Sequence, residues 1–90
     1  MTETEAIGLF KCLADKSRLQ ILKSLAVEDM YVERLAQRLG LTAATVSFHL
    51  KKLAQAGAVS SYKSQYYTMY TLNRDLFDTT ILDIVQEESE

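Results

Sequence analysis

Apolar residues recur at helical spacing through the first two thirds of the chain, and then the pattern changes. Ile7, Phe10, Leu13 and Ala14 fall on one helical face, with Thr4 placed to cap that helix. Asp15-Lys16-Ser17 interrupts the run, and either Asp15 or Ser17 can cap a second helix. The apolar positions of that helix are Leu19, Leu22, Leu25 and Ala26, with Ile21 beside them, and it should end near Val27. Glu28-Asp29 reads as a polar joint. Leu35, Ala36 and Leu39 predict a short third helix, followed by Gly40 where a helix C-terminus needs positive φ. Thr42 stands where a new cap is wanted, Val46, Leu50 and Leu53 follow at i, i+4 and i+7, and Gly57 closes this fourth helix.

From Val59 to Leu72 the sequence VSSYKSQYYTMYTL is rich in Tyr, Thr, Ser and Val, which is strand composition. Lys63-Ser64-Gln65 is the expected turn of a hairpin. Asn73 or Asp75 then caps a last helix whose apolar residues are Phe77, Ile81, Leu82, Ile84 and Val85, and the tail Glu87–Glu90 should fray. The predicted fold is mainly α with a small β-hairpin, in the order α-α-α-α-β-β-α. Helix, Gly-containing turn, capped helix and hairpin is the order of a winged helix-turn-helix. In that geometry the second helix of the pair enters the DNA major groove and the hairpin reaches the flanking backbone.

Charge sharpens the picture. The stretch Arg34–Arg74 holds six of the ten Lys/Arg residues and none of the twelve Asp/Glu. With His49 neutral its formal charge is +6, against −8 for the remainder, within a net charge of −2. A purely basic middle in an acidic chain suits a polyanion, and it covers the same residues as the helix pair. Double-stranded DNA is therefore the expected partner. A winged-helix module that binds protein instead of DNA is the alternative, with outward Phe48 as its best support.

Ninety residues make one small domain, 1–90. A monomer of this size buries only roughly 60–65% of its unfolded surface, so association would help it. Ile7 and Phe10 on the first helix and Phe77, Ile81, Leu82, Ile84 and Val85 on the last are the dimerisation candidates. No run of 18 apolar residues predicts a membrane span, the N-terminus lacks a secretory pattern, and a single cysteine, Cys12, suits a reducing compartment. A cytoplasmic protein is expected. Nothing points to an enzyme: Ser47 and His49 lie two apart on one helix, no carboxylate lies within 15 residues of His49, and there is no phosphate-cradling Gly-rich loop. No cofactor is expected.

The segments FKCLADKSRLQIL and VERLAQRLGLTAATVSFHLKKLAQAGAV, with a tyrosine-rich hairpin ending YTL, resemble the ArsR/SmtB bacterial repressors. Their usual pattern is F-K-A-L-A-D-P-T-R-L-x-I-L, then T-V-S-x-H-L-x-x-L-x-x-A-G-L-V, then a wing ending Y-x-L. The likeness spans roughly residues 7–85. It implies a homodimer built on the first and last helices that binds a pseudo-palindromic operator and usually represses. Relatives sometimes carry a further C-terminal domain, which leaves room for this chain to be the N-terminal part of a longer regulator. The departures bear on sensing. Where metal-sensing members place Cys-Val-Cys at the start of the third helix, this chain has Tyr31, Val32 and Glu33. The last helix offers Asp75, Asp78, Asp83 and Glu87 but no histidine. Zinc and arsenite favour imidazole and thiolate, so no metal site is expected and the effector stays unknown. Cys12 reads as packing, with an oxidisable thiol as the sharper alternative.

Helical geometry selects the DNA-facing residues. With Val46, Leu50 and Leu53 inward, Ala44, Ser47, Phe48 and Lys51 face outward, with Lys52 at the edge. Ala43 and Thr45 lie at the end where recognition helices touch bases. Thr42 caps and can help hold a phosphate. Lys51, Lys52 and Lys63 are phosphate candidates, Gln65 sits at the wing tip, and Arg34 and Arg38 lie on the preceding helix. Tyr66, Tyr67 and Tyr70 read as hairpin packing, and His49 as local packing or a backbone contact.

Overall fold

The computed structural model describes residues 1–86; the tail Glu87–Glu90, expected to fray, lies outside the described residues. The elements run α1 (Glu3–Leu13), α2 (Lys16–Val27), α3 (Val32–Leu39), α4 (Ala43–Gln55), β1 (Val59–Ser64), β2 (Tyr67–Leu72), a π-helical turn (Leu76–Thr80) and α5 (Ile81–Gln86). This is the winged helix-turn-helix order.

Local chemistry explains most boundaries. The cap of α1 is Thr2, not Thr4. Thr2 Oγ1 accepts from the Glu5 backbone N–H at 3.1 Å, and Glu5 Oε1 accepts from the Thr2 N–H at 2.9 Å. A capping box needs Glu or Gln three residues after the cap; Thr2 has Glu5, whereas Thr4 has Ile7. The bond from the Thr2 backbone holds the Glu5 carboxyl below its ordinary range. Asp15 caps α2 through the Arg18 N–H at 2.9 Å, and that bond holds its carboxyl low as well. Gly40 ends α3 at φ 68° and Gly57 follows α4 at φ 81°, both in the left-handed region that glycine enters without penalty.

The core gathers Ile21, Leu25, Met30, Leu35, Val46, Leu50 and Leu53, none more than 1% exposed. Ala36 is buried where α3 packs on α4. In α1 the core takes Ala6 and Leu9, with Cys12 and Leu13 half-buried, and leaves the dimerisation candidates Ile7 and Phe10 exposed. The inward face of α2 differs from the sequence expectation. In α2, Ile21, Leu22 and Leu25 turn inward. Leu19, two residues from Ile21 and so about 200° around the helix, is exposed.

The hairpin pairs Val59 with Leu72 through to Ser64 with Tyr67. Its turn is Gln65-Tyr66, one residue later than expected, because Lys63 pairs with Thr68 and its Nζ donates to Thr68 Oγ1 at 2.8 Å. Gln65 has φ 56° and is the only non-glycine at positive φ among the described residues, which is the type II′ pattern in φ and normally calls for glycine. A lone two-stranded hairpin is barely stable; here the body holds it. Met30 and Tyr70 exchange backbone hydrogen bonds of 3.2 and 2.8 Å. Tyr62 donates to Asp29 Oδ2 at 2.6 Å, a bond that raises the Tyr62 hydroxyl above its ordinary range. Asn73, expected as a cap, instead donates through Nδ2 to the Gly57 carbonyl at 2.7 Å and accepts from Ser60 at 2.8 Å. Asp75 makes no capping bond either. The last helix opens on the π turn, where the Ile81 N–H reaches back to the Leu76 carbonyl.

One side chain ties three helices together. Arg18, on α2, donates through Nε to His49 Nδ1 on α4 at 3.1 Å, and through Nη1 to the Cys12 carbonyl on α1 at 3.1 Å. Cys12 Sγ in turn donates to the Lys52 carbonyl at 3.6 Å. His49 thus packs through a side chain, not a backbone contact, and its Nδ1 serves as the acceptor.

Two variants check these assignments by urea unfolding. Gln65→Gly should stabilise the protein by about 0.5–1 kcal/mol, the relief of the left-handed conformation less the entropy glycine loses; an unchanged or lower midpoint contradicts it. Arg18→Ala should cost about 1–2 kcal/mol, since it strands the His49 acceptor and frees the end of α1; a loss within error of zero shows the three-helix tie to be idle.

Candidate nucleic-acid interface

Val46, Leu50 and Leu53 are each fully buried, and they fix the rotation of α4 about its axis. The opposite face therefore projects outward. Ala43, Ala44, Ser47, Phe48, Lys51 and Lys52 are all exposed, and Thr45 is half-buried. The Thr42 hydroxyl is engaged within the helix start: it accepts from the Thr45 N–H at 3.1 Å and donates to Thr45 Oγ1 at 2.8 Å. What the helix start can offer an anion is thus its remaining backbone N–H groups. Phe48 is 54% exposed. Its ring lies 5.5 Å from the His49 ring, edge-on, and 5.6 Å beneath Lys52 Nζ. These neighbours are on α4 itself, so the ring stands on the outer surface with a cation beside it.

The basic stretch is only partly free. Arg34 forms an ion pair with Glu28, which lies outside the stretch in sequence but beside it in space. Arg74 donates to the Ala26 carbonyl at 3.0 Å, at the far end of α2. Lys63 is exposed on β1 with its ammonium on Thr68. Lys51, Lys52 and Arg38 are exposed with no ion pair among the described residues. Gln65 sits exposed in the wing turn. Beside it Tyr66, expected to pack in the hairpin, is 96% exposed.

A second surface is apolar. Ile7 and Phe10 on α1 are 48% and 41% exposed, and Leu82 and Val85 on α5 are 48% and 66% exposed. These two helices pack against each other. The stripe on the last helix splits in two: Phe77 and Ile81 pack on the core, Ile84 is half-buried, and Leu82 and Val85 remain outside.

At the start of α3, Tyr31 stacks on Tyr67 of the wing with ring centroids 4.4 Å apart. Val32 packs against the core and Glu33 is exposed. Among the described residues no three His, Cys, Asp or Glu side chains stand close enough to hold a metal ion, and no helix is long and apolar enough to cross a membrane. Sequence reasoning missed Arg18 as the anchor of α4. The R-L-x-I-L motif marked its position, but nothing in the sequence tells which side chain a long arginine meets 31 residues away.

With this geometry in view, relatives can be compared. The family model described as "Bacterial regulatory protein, arsR family" matches residues 15–61. The chain is 35% identical over 79 residues to the HTH-type transcriptional regulator KmtR of Mycobacterium tuberculosis, a match covering 88% of this chain and 61% of that protein. It is 36% identical over 70 residues to the nodulation protein NolR of Rhizobium meliloti, covering 78% of this chain and 57% of that one. The chain thus spans about three fifths of the length of these two relatives. The solved structure of reduced HlyU from Vibrio cholerae superposes with a TM-score of 0.74 at 30% identity, covering 94% of this chain and 92% of that one. Matched motif, matched fold and the anchored α4 agree: the chain belongs to the arsR family of bacterial regulatory proteins.

Proposed function

We propose that the protein is a DNA-binding transcriptional regulator that acts as a homodimer on a pseudo-palindromic operator, most simply as a repressor, in the cytoplasm. The observation that carries this reading is the outer face of α4. A 13-residue helix, about 20 Å long, presents small residues at its N-terminal end and two lysines further along. Ala43 and Ala44 let the helix approach the floor of a groove, and Ser47 offers a donor and an acceptor to a base edge. Lys51 and Lys52 are placed for phosphates, with Lys63 and Gln65 on the wing as flanking contacts. The carboxylate-free stretch surrounding this face favours a polyanion and keeps steering local, since charges more than about 8–10 Å away are screened at physiological salt.

The exposed pairs Ile7/Phe10 and Leu82/Val85 support dimerisation through α1 and α5. Two copies meeting there bury apolar side chains that one copy leaves in water, and a two-fold arrangement presents two α4 helices to one face of a duplex. Phe77, Ile81 and Ile84 back that surface from the core side. The same residues support reading 1–90 as one folding unit, within a longer regulator or alone. Tyr31 and Glu33 put an aromatic ring and one carboxylate where thiolates would be needed for a soft metal, which favours a different class of effector.

Affinity for duplex DNA measured against salt tests this. Lys51→Ala should weaken binding to all sequences alike and flatten the slope of log K against log salt by about 0.9 per lost contact, so about 1.8 for a symmetric dimer. A flattening near 0.9 contradicts the dimer, and an unchanged slope contradicts the placement of Lys51 on phosphate.

A further inference from the structure

Four of the five tyrosines in the chain surround one cavity. Tyr31, at the start of α3, and Tyr66, Tyr67 and Tyr70 of the wing line a cup of about 300 Å³, with Glu33 and Thr68 also on its wall. Tyr31 and Tyr67 are already stacked, 4.4 Å apart with 30° between their planes. Tyr66, also on the wall of the cup, is 96% exposed. The fifth tyrosine, Tyr62, is tied to Asp29 and does not line the cup.

Two local features sit poorly with stability alone: one lines this cup, and the other adjoins Tyr66 on its wall. Tyr31 occupies the N-cap of α3 and makes no side-chain capping bond, at a position where Ser, Thr, Asp or Asn would satisfy an orphan N–H. The turn that presents Tyr66 puts Gln65 at φ 56°, where glycine would be relaxed. Departures from local preference that converge on one cavity are characteristic of functional sites.

We propose that this cup binds an uncharged planar aromatic compound of one or two fused rings. The walls dictate the class. Tyrosine faces favour offset stacking with another flat π-surface, and a bound ring would extend the pair that Tyr31 and Tyr67 have begun. Charge does not select an ion. The Glu33 carboxylate is the one charged side chain among the lining residues, and the Lys63 ammonium, 2.8 Å from Thr68 Oγ1, stands close by with the opposite sign. The phenol groups and the Thr68 hydroxyl supply hydrogen-bonding partners for a ligand hydroxyl or carbonyl. A volume of about 300 Å³ is at the small end for ligand pockets, which sets the limit of two rings. The site joins the wing to the start of α3, but its occupancy does not depend on the DNA-binding reading.

The test is a titration of the free, DNA-less protein with 2-naphthol, followed through the aromatic NMR signals of the five tyrosines. The expected result is saturable binding at about 1 mM or tighter, shifting Tyr31, Tyr66, Tyr67 and Tyr70 and sparing Tyr62. Tyr31→Ser and Tyr67→Ser should each weaken it about tenfold, and Tyr31→Phe, which keeps the ring, should preserve it. Tyr66→Ser, at a side chain too exposed to matter for folding, should weaken it several-fold. The saturated analogue decahydro-2-naphthol should not bind. Absence of saturable binding, equal shifts at Tyr62, or equal affinity for the saturated analogue would overturn the proposal. So would tyrosine variants that weaken duplex DNA binding while the free protein ignores 2-naphthol, since the rings would then belong to the DNA contact.

Discussion

Everything the protein presents to the outside follows from how α4 is held. Val46, Leu50 and Leu53 are withdrawn completely from water, and a helix with three such residues along one side has no freedom to roll. Each deeply buried aliphatic side chain contributes about 1.5–3 kcal/mol relative to an exposed one, so turning the helix by even half a turn would forfeit most of that. The outward set, from Ala43 to Lys52, is the geometric complement of the inward one. Arg18 adds a polar constraint of a different kind: its guanidinium joins α4 through His49 to the end of α1 through the Cys12 carbonyl. Apolar burial fixes rotation, and Arg18 ties the recognition-type helix to the helix that carries one of the exposed apolar faces.

The wing depends on the same body. Its backbone is joined to the loop before α3 by the Met30–Tyr70 pair, and Asn73 draws its far end onto the turn after α4. A hairpin so tied is a lever with a fixed base and an exposed tip. Tyr66 and Gln65 are at that tip, and Tyr31 reaches the wing from the start of α3.

The parts legible in the sequence were those written in nearest neighbours. Gly40 and Thr42 announced the helix pair because positive φ and an N-cap are local demands that few residues meet. The i, i+4, i+7 spacing of Val46, Leu50 and Leu53 gave the inward face of α4 for the same reason. Glu5, three residues after Thr2, marks Thr2 and not Thr4 as the cap of α1, a signal just as local. The other differences arise where a choice depends on partners distant in the chain. Leu19 is apolar, yet it lies about 200° around α2 from Ile21 and stays exposed. Asn73 stands where the sequence predicts a cap and instead serves Gly57 and Ser60, 16 and 13 residues away. Arg34 counted toward a basic face, but Glu28 neutralises it across the joint. Of the candidate interface, the exposure of the α4 residues was legible from periodicity. The full exposure of Tyr66 was not, because hairpin composition says nothing of which tyrosine falls in the turn.

The central claim is that two anchored α4 helices, presented by a pair of protomers joined through α1 and α5, sit in successive major grooves on one side of a duplex. A hydroxyl-radical footprint of the purified protein on DNA upstream of its own gene tests this most directly. The account predicts two protected patches on one face of the helix, about 10–10.5 base pairs apart or a whole multiple of that, both lost when Lys51 and Lys52 are replaced together by Ala. A single patch, patches on opposite faces, or protection that persists in the double variant would contradict it.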